Sequence, residues 1–86
     1  MHKRYQLHIT GVVQGVGFRP FIFRLAAQHH LSGWVSNGSD GVRIEVQGCE
    51  DRLKNFSNAI RKSAPPLARI DQLTCREIVR DRKSVV

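Results

Sequence analysis

A glycine-rich segment between two regular elements contains the residues of this 86-residue sequence that could do chemistry. Residues 14–20 read QGVGFRP. Glycines let a backbone turn tightly and point several N–H groups inward, and a helix that starts there adds its partial positive charge. Arg19 adds a planar set of donors that matches phosphate or carboxylate. The segment therefore predicts an anion-binding site, with a phosphoryl group as the favoured ligand.

This segment matches neither of two common nucleotide-binding motifs. Pro20 stands where the dinucleotide-binding fingerprint has its third glycine, and no Gly-Lys-Ser/Thr follows as a Walker A loop requires. A tight connection between a strand and a helix, with an arginine on the surface, would use the same residue types. The residue types alone leave both interpretations open.

The other residues that could bind a metal or act as nucleophiles are few. Cys49 and Cys75 match no zinc spacing and cannot form a disulfide framework, so we expect reduced thiols in a cytoplasmic protein. His29 and His30 are neighbours near a predicted helix end, where adjacent side chains point in different directions. We therefore expect no metal site.

Composition and charge exclude several classes of protein. With 41% hydrophobic and 24% charged residues, the chain is neither collagen-like, nor low-complexity, nor fully disordered. No apolar stretch approaches the roughly 20 residues of a membrane helix, and we expect no signal peptide. Fourteen Lys and Arg against seven Asp and Glu favour an anionic partner, although most of them are scattered. The length fits one small domain, residues 1–86, with a basic tail from about residue 80.

Hydrophobic periodicity predicts the two elements that flank the glycine-rich segment. Residues 5–12 alternate between apolar and polar side chains, which is typical of a half-buried strand. An apolar stripe from Phe18 to Ala26 then predicts a helix that fades near His29. Pro20 suits the first helical position, where its missing N–H costs nothing.

The remaining elements complete the order βαββαβ. Strands over 33–37 and 42–47 form a hairpin around a turn at 38–41. A helix over 50–63 is followed by a double proline and by a last strand over about 68–79. Two split βαβ units predict the α+β class: a ferredoxin-like sandwich whose antiparallel sheet carries both helices on one face.

Two segments of the sequence, residues 13–19 and 33–41, resemble the two halves of the acylphosphatase signature. The resemblance covers about residues 5–80 and independently implies the ferredoxin-like fold. It implies hydrolysis of acyl phosphates to carboxylate and inorganic phosphate, with no metal or other cofactor. It assigns substrate binding to Arg19 and the orientation of a water molecule to Asn37. It places the phosphate cradle on the backbone amides of Gln14, Gly15, Val16, Gly17, Phe18 and Arg19.

Within that family, residues 19–21 and 65–71 resemble the N-terminal domain of the hydrogenase-maturation carbamoyltransferases called HypF. That resemblance implies an alternative: a module that hydrolyses carbamoyl phosphate for the remaining domains of a larger enzyme. The acylphosphatase family normally closes with a short fifth strand. Residues 80–86 are short and charged for such a strand.

A nucleic-acid-binding module is a further alternative, because RNA-recognition domains share the βαββαβ order. Those domains use exposed aromatic side chains on their central strands. The strand at 42–47 has no aromatic residue, and Tyr5 is the only one on the first strand. The sequence therefore disfavours nucleic acid as a partner.

Overall fold

Six elements follow one another in the predicted order βαββαβ. The computed structural model describes residues 2–79, so the basic tail at 80–86 and the question of a fifth strand lie outside the described residues. The elements are β1 His2–Val12, α1 Phe18–Gln28, β2 Ser32–Gly38, β3 Gly41–Cys49, α2 Glu50–Ser63 and β4 Arg69–Ile78.

The four strands form one antiparallel sheet in the order β2-β3-β1-β4. β3 lies between β1 and β2 and is antiparallel to both, so β1 and β2 run parallel to each other. Their carboxyl ends therefore meet at the same edge of the sheet. This topology confirms the predicted ferredoxin-like fold.

The core lies between the sheet and the two helices. Alternate residues of β1 and β3 are buried on the covered face, and every third or fourth residue of each helix packs against them. The buried side chains are Leu7, Ile9, Val42, Ile44 and Val46 from the strands, Phe18, Phe21, Ile22, Leu25, Leu53, Phe56 and Ile60 from the helices, and Val13 and Leu31 from the connections.

The first helix begins earlier than the sequence predicted. Gly17 is its N-cap, so Pro20 occupies the third helical position and not the first. The first hydrogen bond of the helix runs from the Phe21 N–H to the Gly17 carbonyl, at 3.2 Å. The missing N–H of Pro20 still costs little, because the first-turn N–H groups of a helix have no intrahelical partner.

The first strand also begins earlier than predicted, at His2 and not at Tyr5. Lys3 pairs with Gly48 across the sheet, and its ammonium lies 3.6 Å from Glu50 and 3.5 Å from Glu77. These carboxylates raise the pKa of Lys3 above its usual value. The backbone ladder with β3 thus extends into a basic stretch whose lysine has carboxylate partners.

The buried phenylalanine of α2 gives a test of the core. Phe56 is fully buried. Its ring packs against the His29 ring in a T-shaped contact, with the ring centroids 6.2 Å apart. We predict that Phe56→Ala lowers the free energy of unfolding in urea by about 3–5 kcal/mol, because it leaves a cavity. Phe23 is 73% exposed. Phe23→Ala is the matched control and should stay within about 0.5 kcal/mol of the parent. Equal losses in the two variants would contradict this account of the core.

Candidate active site

The connection between β1 and α1 is held at both ends by buried side chains. Val13 and Phe18 are 2% and 1% exposed, and the Phe18 ring packs against Phe21 with centroids 5.6 Å apart. Between these anchors, residues 14–17 run along the surface with Val16 half-buried. The anchors fix where the exposed loop stands relative to the core.

The backbone of this loop alternates in conformation. Gly15 and Gly17 have φ of 73° and 78°. The residue before each of them, Gln14 and Val16, has a negative φ. A Cβ atom at either glycine would meet nothing within 4 Å, so conformation and not crowding requires glycine here. Alternation of this kind turns successive N–H groups toward one side and forms a concavity that binds anions.

The start of α1 adds uncompensated positive charge beside the loop. Gly17 offers no side-chain cap, and the first turn contains no acidic residue. The Arg19 side chain is exposed, and within residues 2–79 no carboxylate lies within salt-bridge distance of it. The helix dipole and the guanidinium therefore both favour an anion at this end of the helix.

Asn37 lies at the same edge of the sheet as the loop. It is an exposed residue near the end of β2 and pairs with Val42 of β3. On the other side of β3, Val42 also pairs with Ile9, three residues before the end of β1. The sheet register thus places Asn37 and the loop after β1 on neighbouring parts of one edge.

The turn between β2 and β3 is fixed by an ion-paired aspartate. The Asp40 carboxylate lies 2.8 Å from the Arg43 guanidinium and 3.4 Å from Nε2 of His8. Desolvation favours the neutral carboxyl, but the hydrogen bond from its own backbone N–H and the Arg43 guanidinium outweigh it. They hold the pKa of Asp40 below its usual value. The interpretation of Asp40 as a turn residue agrees with this geometry.

Sequence reasoning missed one contact of the site, made by the Gln14 side chain. Its Nε2 donates hydrogen bonds to the Gly38 carbonyl at 2.5 Å and to the Gly41 carbonyl at 3.4 Å. The resemblance implies a role only for the backbone amide of Gln14. The acceptors are 24 and 27 residues away along the chain, so no local pattern could have indicated the contact.

On the face opposite the helices, the two central strands β1 and β3 present polar side chains. The guanidinium of Arg4 lies 2.9 Å from Glu45, and that of Arg76 donates to Gln6 at 2.8 Å. The residues of β1 and β3 whose position alternates with the buried ones are Arg4, Gln6, His8, Thr10, Arg43, Glu45 and Gln47. None is aromatic, so the central strands lack the stacking side chains of RNA-binding sheets.

Residues 2–79 contain no group of three or more His, Cys, Asp or Glu side chains arranged to hold a metal ion. Cys49 and Cys75 are both free thiols. Burial raises the pKa of the Cys75 thiol despite a hydrogen bond with Ser57. No helix in this part of the chain combines the length and the apolar character needed to cross a bilayer.

The acylphosphatase family profile matches residues 5–84 of the chain. An acylphosphatase from Bacillus licheniformis is 48% identical over 63 residues, which are 72% of this chain and 70% of that protein. Carbamoyltransferase HypF2 from Cupriavidus necator is 50% identical over 70 residues, 81% of this chain but 9% of that protein. The crystal structure of full-length HypF in its phosphate- and nucleotide-bound form superposes with a TM-score of 0.92. The two sequences are 40% identical in the matched region. That region covers 95% of this chain and 11% of the HypF chain.

Fold, sequence and profile agree on the class: this chain belongs to the acylphosphatase family of enzymes, which act on acyl phosphates. Its relatives include short acylphosphatases and the much longer HypF proteins. The chain spans about a tenth of the length of the HypF proteins it matches.

The left-handed glycine of the loop gives a test of the anion site. We predict that Gly15→Val weakens the binding of inorganic phosphate by about tenfold or more, because a β-branched residue strains a positive φ by about 1–2 kcal/mol. Gly15→Asn is the matched control, since asparagine tolerates this conformation. It should bind phosphate within about threefold of the parent by titration calorimetry. Equal affinity in the two variants would refute the role of the backbone conformation.

Proposed function

We propose that the loop at 14–19 and Asn37 together form the catalytic site for acyl phosphate hydrolysis. In this proposal the loop N–H groups and the Arg19 guanidinium bind the phosphoryl oxygens, and the Asn37 side chain orients the attacking water. One observation carries the proposal. An alternating glycine loop, an uncapped helix start and an arginine without a carboxylate partner meet at the sheet edge that also holds Asn37.

Phosphoryl binding at this place follows from electrostatics. A phosphoryl group carries negative oxygens in several directions, and backbone N–H groups, a helix terminus and a guanidinium can contact them together. The backbone donors among them are fixed by the fold before the substrate arrives. Little reorganisation is therefore needed as charge develops on the oxygens in the transition state.

The reaction itself needs little further chemistry from the protein. The water oxygen forms a bond to phosphorus while the bond between phosphorus and the acyl oxygen breaks. The electron pair of the broken bond leaves with the carboxylate, and the water releases a proton to solvent. Because a carboxylate is a good leaving group, positioning and charge stabilisation can supply most of the catalysis. No nucleophilic side chain is required.

Asn37 suits the orientation of a water molecule. Its amide offers both a donor and an acceptor, and its position near the strand end places it beside the loop without joining it. Asparagine carries no charge, so it does not repel the anionic substrate. We therefore assign the in-line water to Asn37 and the phosphoryl group to the loop and Arg19.

A second proposal concerns the physiological substrate. Half of the residues aligned with the HypF2 protein of Cupriavidus necator are identical. This relationship supports carbamoyl phosphate as substrate, with the remaining domains of a hydrogenase-maturation carbamoyltransferase as partners. The same site would perform the same hydrolysis, because carbamate also leaves as a stabilised carboxylate. Residues 1–86 would then act as one domain, and we expect a cytoplasmic setting.

Substitution of the arginine tests phosphoryl binding. We predict that Arg19→Ala lowers kcat/KM for benzoyl phosphate by at least about 100-fold, because a charge-assisted contact to the phosphoryl group is lost. Competition by inorganic phosphate should weaken in parallel. Arg24→Ala is the matched control, since Arg24 is an exposed arginine of the same helix. Parent-like turnover and phosphate inhibition in Arg19→Ala would remove Arg19 from the site.

Substitution of the asparagine tests the water assignment separately. We predict that Asn37→Ala lowers kcat by about 100-fold while the inhibition constant of inorganic phosphate stays within about threefold. Asn58→Ala in α2 is the control, because it removes the same side chain from an exposed position outside the loop and the hairpin. Full turnover in Asn37→Ala would dismiss the role of Asn37. Assays with benzoyl phosphate and carbamoyl phosphate in parallel separate the two proposed substrates.

A further inference from the structure

The Gln14 side chain joins the two halves of the site. The loop that carries the N–H donors follows β1, whereas Asn37 belongs to the hairpin of β2 and β3. We propose that Gln14 is a positioning residue: its amide holds the loop at a fixed distance from the hairpin and so sets the place of the water relative to phosphorus. This inference rests on the proposed function and adds a residue that acts through Asn37.

The geometry of the amide supports a tether. Nε2 donates to two carbonyls, those of Gly38 and Gly41, which pair with each other at the closed end of the hairpin. Because both partners are backbone acceptors, the nitrogen and not the oxygen of the amide must face them. Gly38 follows Asn37 directly in the chain. The amide is therefore hydrogen-bonded to the backbone directly after the proposed water-binding residue.

Within residues 2–79, these two are the side-chain hydrogen bonds that link the loop to the hairpin turn. The His8 imidazole also reaches the turn, at the Asp40 carbonyl 3.2 Å away, but it comes from the middle of β1. The turn itself is braced by Asp40 and Arg43. The sheet register brings the loop and the turn side by side, and Gln14 adds a direct link between them.

Relative placement matters because an in-line attack tolerates little error. A displacement of about 1 Å can cost on the order of 100-fold in rate. Phosphate binding depends on the loop and on Arg19 alone, so loss of the tether should leave it almost unchanged. A positioning role therefore predicts a separation between kcat and phosphate affinity that a general loss of stability would not produce.

The test uses Gln14→Met, which keeps the length of the side chain and removes the donor. We expect kcat for benzoyl phosphate to fall by about tenfold or more, with the inhibition constant of inorganic phosphate within about twofold of the parent. Gln28→Met at the end of α1 is the matched control and should keep the parental kcat. Urea unfolding of both variants verifies that each remains folded at the assay temperature. Unchanged kcat in Gln14→Met would overturn the tether.

A double-mutant cycle with Asn37→Ala shows whether Gln14 acts through Asn37. If it does, Gln14→Met should cost less than about threefold once Asn37 is absent, so the two losses do not multiply. Losses that multiply fully would overturn the proposed coupling while leaving the role of Asn37 intact. If Asn37→Ala itself keeps full turnover, the assignment of the water to Asn37 in the proposed function is wrong. The positioning role of Gln14, which depends on that assignment, is then wrong as well. A large loss of phosphate affinity in Gln14→Met would also overturn the inference, because it would place Gln14 in binding and not in positioning.

Discussion

The pairing of β3 with both β1 and β2 is the constraint on which the site depends. Val42 faces Ile9 on one side and Asn37 on the other, and this register brings the end of β2 beside the loop that follows β1. The register is itself enforced by burial. A slip of one residue would move the buried side chains of β3 to the polar face of the sheet. Core packing and site geometry therefore have the same cause.

Among residues 2–79, five basic side chains outside the site are paired with carboxylates, whereas Arg19 at the start of α1 is not. Lys3, Arg4 and Arg43 each lie within 4 Å of a carboxylate, and Arg4 and Arg43 also take part in the polar face of the sheet. Arg19 has no such partner among the described residues, and the helix behind it begins without an acidic residue. An arginine left without a partner at a helix start is ready to bind an anion.

Local signals in the sequence predicted the order of the elements and the position of the loop, whereas Asn37 was singled out only by the resemblance to the acylphosphatase signature. The predicted strand at 42–47 and helix at 50–63 differ little from β3 and α2, and the glycines marked the loop. The start of β1 was wrong because Lys3 and Arg4 look like a charged terminus until their partners Glu45, Glu50 and Glu77 are known. The Gln14 side chain was missed for the same reason: its acceptors are distant in the chain, and a single glutamine carries no periodic signal.

The central claim, that the backbone amides of residues 14–19 bind the phosphoryl group, is tested most directly by NMR. A ¹⁵N-labelled sample would be titrated with inorganic phosphate while the backbone amide resonances are followed. The account predicts that the amides of 14–19 shift together and saturate at one affinity, with smaller shifts at Asn37 and at the hairpin turn. Shifts centred on other basic residues, such as Arg61 and Lys62 at the end of α2, with residues 14–19 unmoved, would contradict it.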